Sequence, residues 1–316
     1  MNVVVTGAAG YIGGEIALLL RDAGHTVMGI DRRPCPPHLQ DTFSRFVQAD
    51  FDSDEAYREL IKSQPEAVIH CAGTSLVGPS MVHPSDYWHN NVVKTLHLLD
   101  IMHAALPRTR LIFSSSAAVY GNPVMTPCQE LDPCEPFSPY GQSKLSVEWI
   151  LNSYQHAYGL DYVAFRYFNA CGADSQARHG QEPGATHIIA RVLESIRDSQ
   201  EFVLNGIDYP TPDGTCVRDY VHVEDIARAH VAALCRQTVP TGVYNLGSAA
   251  GHSNRQIISA ATDVTGKPVD VELGVPRSGD PAVLTADAAR FDQLVPDWRH
   301  HNLRDMISHA WAWYKK

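Results

Sequence analysis

Tyr140-Gly141-Gln142-Ser143-Lys144 sets a phenol and an ammonium four residues apart, which on a helix puts them on one face. Upstream, Ser114-Ser115-Ser116 closes an apolar run, and close to the start Thr6-Gly7-Ala8-Ala9-Gly10-Tyr11-Ile12-Gly13 forms a G-x-x-G-x-x-G loop. These types suit the oxidation of a secondary alcohol, in which a base takes the hydroxyl proton while a hydride leaves the same carbon. Ser116, Tyr140 and Lys144 are the candidate catalytic group, with Tyr140 as base. A phenol of pKa about 10 is a poor base at neutral pH. A cation about 6 Å away in an effective dielectric of about 20 is worth roughly 2.8 kcal/mol, or about a hundredfold in acidity. Lys144 and an oxidised nicotinamide are therefore expected to bring Tyr140 near 7.

These residues need a scaffold, and the first half of the chain supplies one. Val3–Val5, Thr26–Ile30, Phe46–Gln48, Ala67–His70, Leu111–Phe113 and Tyr162–Phe165 read as strands. Ile12–Asp22, Asp54–Ser63, Asp86–His103 and Pro139–His156 read as helices between them. The alternation predicts an α/β protein with a doubly wound parallel Rossmann sheet. Ser138 as N-cap, Pro139 at the first helical position and a close near Gly159 mark the helix that carries Tyr140 and Lys144. The glycine loop lies between the first strand and first helix, where free N–H groups hold a pyrophosphate. Asp31, at the end of the second strand, is placed to accept from an adenosine ribose and favours NAD over NADP, although Arg32 and Arg33 follow it.

Residues 1–170 are expected to form the dinucleotide-binding domain, with Tyr220–Val223 and Val243–Leu246 as runs free to return to its sheet. Residues 171–316 are expected to form a smaller, loop-rich domain, because Gly, Pro, Asp and Thr cluster at 174–184 and 209–214. The chain of 316 residues carries 25 Lys+Arg against 35 Asp+Glu, a formal charge of -10 with no basic stripe, which disfavours nucleic acid and anionic membranes as partners. Seven scattered cysteines without a C-x-x-C pair read as reduced thiols, and no leader or membrane span is evident, so a cytoplasmic location is expected. None of the 16 histidines lies in an H-E-x-x-H arrangement, and no metal is expected.

The chain resembles the UDP-galactose 4-epimerases of the extended short-chain dehydrogenase/reductase family. The likeness rests on T-G-A-A-G-Y-I-G at Thr6–Gly13, H-C-A-G at His70–Gly73, N-N-V at Asn90–Val92 and S-S-S-A-A-V-Y-G at Ser114–Gly121. It continues through S-P-Y-G-Q-S-K at Ser138–Lys144, R-Y-F-N at Arg166–Asn169, the long D-Y-P-T-P-D-G-T-C-V-R-D-Y-V-H-V at Asp208–Val223, Y-N-L-G at Tyr244–Gly247 and R-S-G-D at Arg277–Asp280. The resemblance implies NAD held by Gly7, Gly10, Tyr11, Ile12, Gly13, Asp31, Asp50, Phe51, Cys71, Ala72, Gly73, Asn90, Ser114, Tyr140, Lys144, Tyr167 and Phe168, with Asp50 and Phe51 flanking the adenine. It implies Lys144 on the nicotinamide ribose and Ser116 bridging to the sugar 4-hydroxyl. For a UDP-sugar substrate it implies Ser116, Tyr140, Asn169, His187, Ile188 and the stretch Val203, Leu204 and Asn205 beside the uracil. Arg218 and Arg277 would hold the diphosphate, Asp280 the uridine ribose, and Leu284 would line the hexose pocket. Ser75 and Ala190 depart from the family's usual Lys and Pro.

The reaction so implied is conversion of UDP-galactose to UDP-glucose through a transient 4-keto sugar, by a cytoplasmic homodimer. Leu284 is intermediate in size, which leaves UDP-N-acetylhexosamines and the UDP-xylose/UDP-arabinose pair as alternatives. Ala117 and Ala118 stand where related dehydratases carry Asp-Glu, and methyl groups transfer no protons. A non-catalytic NAD-binding sensor is disfavoured because Ser116, Tyr140 and Lys144 are all present.

Overall fold

The computed structural model describes residues 1–276 and 280–316. In chain order the strands are β1 (Asn2–Thr6), β2 (Thr26–Asp31), β3 (Arg45–Gln48), β4 (Ala67–His70), β5 (Arg110–Ser116), β6 (Tyr162–Tyr167), β7 (Asn169–Cys171), β8 (Phe202–Asn205), β9 (Val217–His222), β10 (Gly242–Leu246), β11 (Gly251–Ser253), β12 (Val271–Gly274) and β13 (Val283–Leu284). The helices are α1 (Tyr11–Asp22), α2 (Asp54–Ser63), α3 (Val77–Val82), α4 (Pro84–Tyr87), α5 (Lys94–Ala105), α6 (Pro139–Tyr158), α7 (Ile188–Asp198), α8 (Val223–Ala232), α9 (Asn254–Thr265), α10 (Ala289–Asp292) and α11 (Leu303–Tyr314).

The main sheet has seven parallel strands in the order β10-β6-β5-β4-β1-β2-β3. The middles of its central strands are apolar runs because both faces are covered. Ile16 and Leu20 of α1 and Ile226 of α8 pack on one face, whereas Leu60, Leu98, Val147 and Leu151 pack on the other. The strand order reverses between β1 and β4, which opens a crevice at their carboxyl ends. The smaller part has a core of Val192, Leu193 and Ile196 from α7, Ile257 from α9, and Met306, Ile307 and Trp311 from α11.

Of the two runs free to rejoin the main sheet, only the second does, as β10 beside β6. β9 instead sits in a second sheet with β7, β11 and β13. The buried Asp219 carboxylate holds it there by accepting from the backbone N–H groups of Ser248, Ala249 and Ala286. The helix read over Asp86–His103 also differs. The chain is helical from Pro84 to Ala105, but Trp88–Val93 makes a π-helical turn. That turn lets the buried Asn91 side chain donate to the Thr74 carbonyl and the Ser143 hydroxyl while accepting from the Thr74 N–H. π-Turns of this kind recur at functional sites.

Candidate active site

A cleft of about 690 Å³ lies at the carboxyl ends of the central strands. Gly7 sits in it at φ +71°, which a side chain resists, and a Cβ on Gly13 would stand 2.3 Å from the Gly7 carbonyl oxygen. α1 begins at Gly10 with no side-chain cap, so the donors that open it remain for a ligand. Asp31 accepts from the N–H groups of Ala9 and Arg33 at 3.0 and 2.9 Å, which pins its carboxylate beside the loop. The uncapped helix, the close backbone approach and the acid at the end of β2 fit a dinucleotide. Gly13→Ala is expected to weaken NAD binding about tenfold or more, since relieving such a contact costs about 1–3 kcal/mol. NAD released per chain on denaturation, read by absorbance, checks this.

Ser138 caps α6, accepting from Gly141 N–H at 3.1 Å, and so fixes which way Tyr140 and Lys144 point. The Ser116 side chain hydrogen-bonds Tyr140, and its Oγ also accepts from Ala118 N–H at 3.2 Å. Lys144 Nζ donates to the Ser114 carbonyl at 2.8 Å and lies over the Phe113 ring. Burial pulls Lys144 down to about 8, against the opposing influence of Cys71 and Glu148. Burial raises the Tyr140 phenol, with Ser116 only partly offsetting it. In the chain by itself desolvation outweighs that hydrogen bond; the expected fall towards 7 is for Lys144 acting together with an oxidised nicotinamide.

The description NAD dependent epimerase/dehydratase family matches residues 3–247. UDP-glucose 4-epimerase of Halalkalibacterium halodurans is 39% identical over 100% of this chain and 96% of its own length. The crystal structure of UDP-glucose 4-epimerase from Brucella ovis in complex with NAD is 38% identical, covers 98% of this chain and 97% of that one, and superposes with a TM-score of 0.91. The Stenotrophomonas maltophila UDP-glucose-4-epimerase structure with bound NAD and formylated UDP-arabinopyranose is 34% identical over 100% of this chain and 98% of that one, with a TM-score of 0.93. The chain belongs to the NAD dependent epimerase/dehydratase family.

In this epimerase/dehydratase chain, every residue expected around NAD lines the cleft: Gly7, Gly10, Tyr11, Ile12, Gly13, Asp31, Asp50, Phe51, Cys71, Ala72, Gly73, Asn90, Ser114, Tyr140, Lys144, Tyr167 and Phe168. Some of their side chains are already committed. The Tyr11 hydroxyl donates to the Gly172 carbonyl, and Phe51 packs edge-on to His70. Burial raises the Cys71 thiol to about 11, although Ser114 hydrogen-bonds it.

Of the substrate residues, only Tyr140, Asn169 and His187 line the same cleft. Asn169 donates to the Asp219 carbonyl, and His187 caps α7 while contacting Gln181. Ile188 packs into the smaller core. Leu204 is buried there too, in the stretch of β8 that pairs with β12, whereas Val203 and Asn205 alternate to the other, half-buried face of β8. Arg218 and Asp280 pair with each other at 2.5 Å. Leu284 packs against the small cluster that contains Ala117, Val119 and Phe168. Arg277 lies outside the described residues. Sequence reasoning missed Thr74, Lys94, Gln181 and Thr186 in the cleft wall. Lys94 holds Asp50 at 2.6 Å. Its place four residues after Asn90 was the available signal, blurred by the π-turn.

Proposed function

We propose that this NAD-dependent enzyme interconverts UDP-galactose and UDP-glucose at C4, with residues 1–170 holding NAD on a sheet that β10 and α8 complete, and the rest of 171–316 holding the UDP-sugar. Tyr140 and Lys144 in the cleft wall, with Ser116 beside Tyr140 just behind it, carry the reading, and Ala117 and Ala118 offer no acid for elimination. When bound, NAD supplies an acceptor that takes the C4 hydride and gives it back, so the sugar passes through a 4-ketone. Tyr140 takes the 4-hydroxyl proton and later returns it to the opposite face's alcohol. Ser116 shares that proton's hydrogen bond, and Lys144 supplies the positive charge that favours the phenolate. The mechanism requires a firm hold on UDP and a loose one on the hexose, which must present both faces. Arg218 and Arg277 are the groups for the diphosphate, since a guanidinium forks onto phosphate oxygens.

The test is a panel of UDP-galactose, UDP-N-acetylgalactosamine and UDP-arabinose with purified protein and no added NAD, products resolved by chromatography. UDP-galactose is expected to react fastest. Activity confined to the pentose or the acetylated sugar would overturn the assignment.

Assembly as a homodimer is part of the same proposal. α6 leaves Trp149 and Tyr158 exposed beside α5, with Trp149 at 63%, and Val93 just before α5 is exposed too. Light scattering is expected to give the mass of two chains, falling to one in Trp149→Glu. Among the described residues no helix is long and apolar enough to cross a membrane. Seven free cysteines support a reducing, cytoplasmic setting.

A further inference from the structure

Glu15 of α1 is fully buried, and neither of its carboxylate oxygens has a hydrogen-bond partner among the described residues. A charged carboxylate in that state is costly unless something pairs with it. Its surroundings are acidic. Ligand oxygens of Glu15, Asp174 and Glu224 all lie within 4.8 Å of one another, and all three residues are buried. Burial first, then Asp174 and Glu224, push the Glu15 carboxyl well above its ordinary range. The neighbouring cations do not balance the cluster. Arg178 is shared between Asp174 and Asp22, and His301 between Glu224 and Asp225.

Within the trio Asp174 accepts from Arg178, and Glu224 accepts from Ser175 N–H and meets His301, whereas Glu15 has no donor of its own among the described residues. A hard divalent cation binds oxygens at about 2.3–2.6 Å, which leaves them roughly 3–5 Å from one another. We propose that Glu15, Asp174 and Glu224 form a buried site for a divalent cation of the calcium or manganese kind. The cation would cross-link α1 to the loop after β7 and to α8, steadying the helix that starts at the glycine loop. The sequence carries no motif for it because the ligands come from three distant segments.

The adjacent His222, His301 and His309 do not make the better site. His222 Nδ1 accepts from Glu224 N–H, so its proton sits on Nε2, which faces His309 Nδ1 at 3.0 Å and is not free to ligate. Both His301 nitrogens are taken by carboxylates.

NAD-loaded protein stripped with a chelator and dialysed against Mn²⁺ or Ca²⁺ tests the proposal. One cation per chain is expected by elemental analysis, with Tm rising about 4 °C at hundredfold excess over Kd. Glu15→Gln keeps the shape, removes the buried charge and is expected to lose both effects. Glu224→Gln tests the site from α8 in the same way. No cation bound by the unmodified protein at about 1 mM, the weak end of protein Ca²⁺ sites, overturns the proposal. So does binding by either variant that equals the unmodified protein.

Discussion

A Tyr140→Phe enzyme is expected to turn over UDP-galactose roughly 100- to 10,000-fold more slowly than the unmodified protein, with affinity for UDP unchanged. The substitution removes one oxygen and leaves the ring in its edge-on contact with Tyr87. Steady-state kcat measures the first quantity and calorimetry with UDP the second. A loss under about tenfold would remove Tyr140 from the role of base, since one positioned proton acceptor is worth at least 100-fold.

Lys144→Met is the companion to that experiment, because it is expected to lower activity while stabilising the cofactor-free protein. Lys144 ionises at about 8 when folded, against an ordinary 10.5, since burial disfavours its charge. Below pH 8 the ammonium is charged in both states, and the folded state bears the whole desolvation cost, on the order of 3 kcal/mol. Between pH 8 and 10.5 the folded chain releases the proton that the unfolded chain keeps. The unfolded state then binds more protons, so stability rises with pH. The melting advantage of the methionine variant should therefore be largest below pH 8 and shrink towards 10.5. Calorimetry across that range checks it. A variant less stable at pH 7 would mean that the bond to the Ser114 carbonyl outweighs burial.

The frame of the site was readable because each part has a local cause. Strands buried on both faces are runs of Val and Ile, α6 announces itself with Ser138 and Pro139, and the glycine loop can serve only where backbone must approach closely. What was unreadable depends on partners distant in the chain. Nothing in β9 says which sheet it joins, because an apolar run fits either; the Asp219 carboxylate decides it through residues 248, 249 and 286. The π-turn at Trp88–Val93 has no periodic signature and exists to seat Asn91 between Thr74 and Ser143. The rise of Tyr140 in the chain without its cofactor has no local signal for the same reason. Spacing along a helix tells that a lysine is near, whereas the degree of burial is set by the whole cleft.

Arg166 shows how a motif residue acts from outside the site, and Glu148→Gln is expected to cost about 3–5 kcal/mol. Glu148 lies one turn beyond Lys144 on α6, and Arg166 lies in β6; both are almost wholly buried. Arg166 Nη2 donates to Glu148 at 2.7 Å and Nε at 3.1 Å, Ser115 donates to the same carboxylate, and Arg166 Nη1 reaches the Tyr120 hydroxyl. Burial opposes the Arg166 charge, yet the Glu148 carboxylate holds its pKa above the ordinary value. Neutralising Glu148 alone strands a guanidinium out of reach of water, which costs more than the pair contributes. At roughly 1.5 °C per kcal/mol for a chain of 316 residues, Tm should fall about 5–8 °C. Replacing both partners, as Glu148→Leu with Arg166→Met, should recover most of that fall because no charge is left unpaired. The pair also ties α6 to the strands that carry Ser115 and Tyr167. In the single variant kcat should therefore drop along with Tm, and a double variant that regains stability without regaining kcat would separate anchoring of the helix from placement of Tyr140.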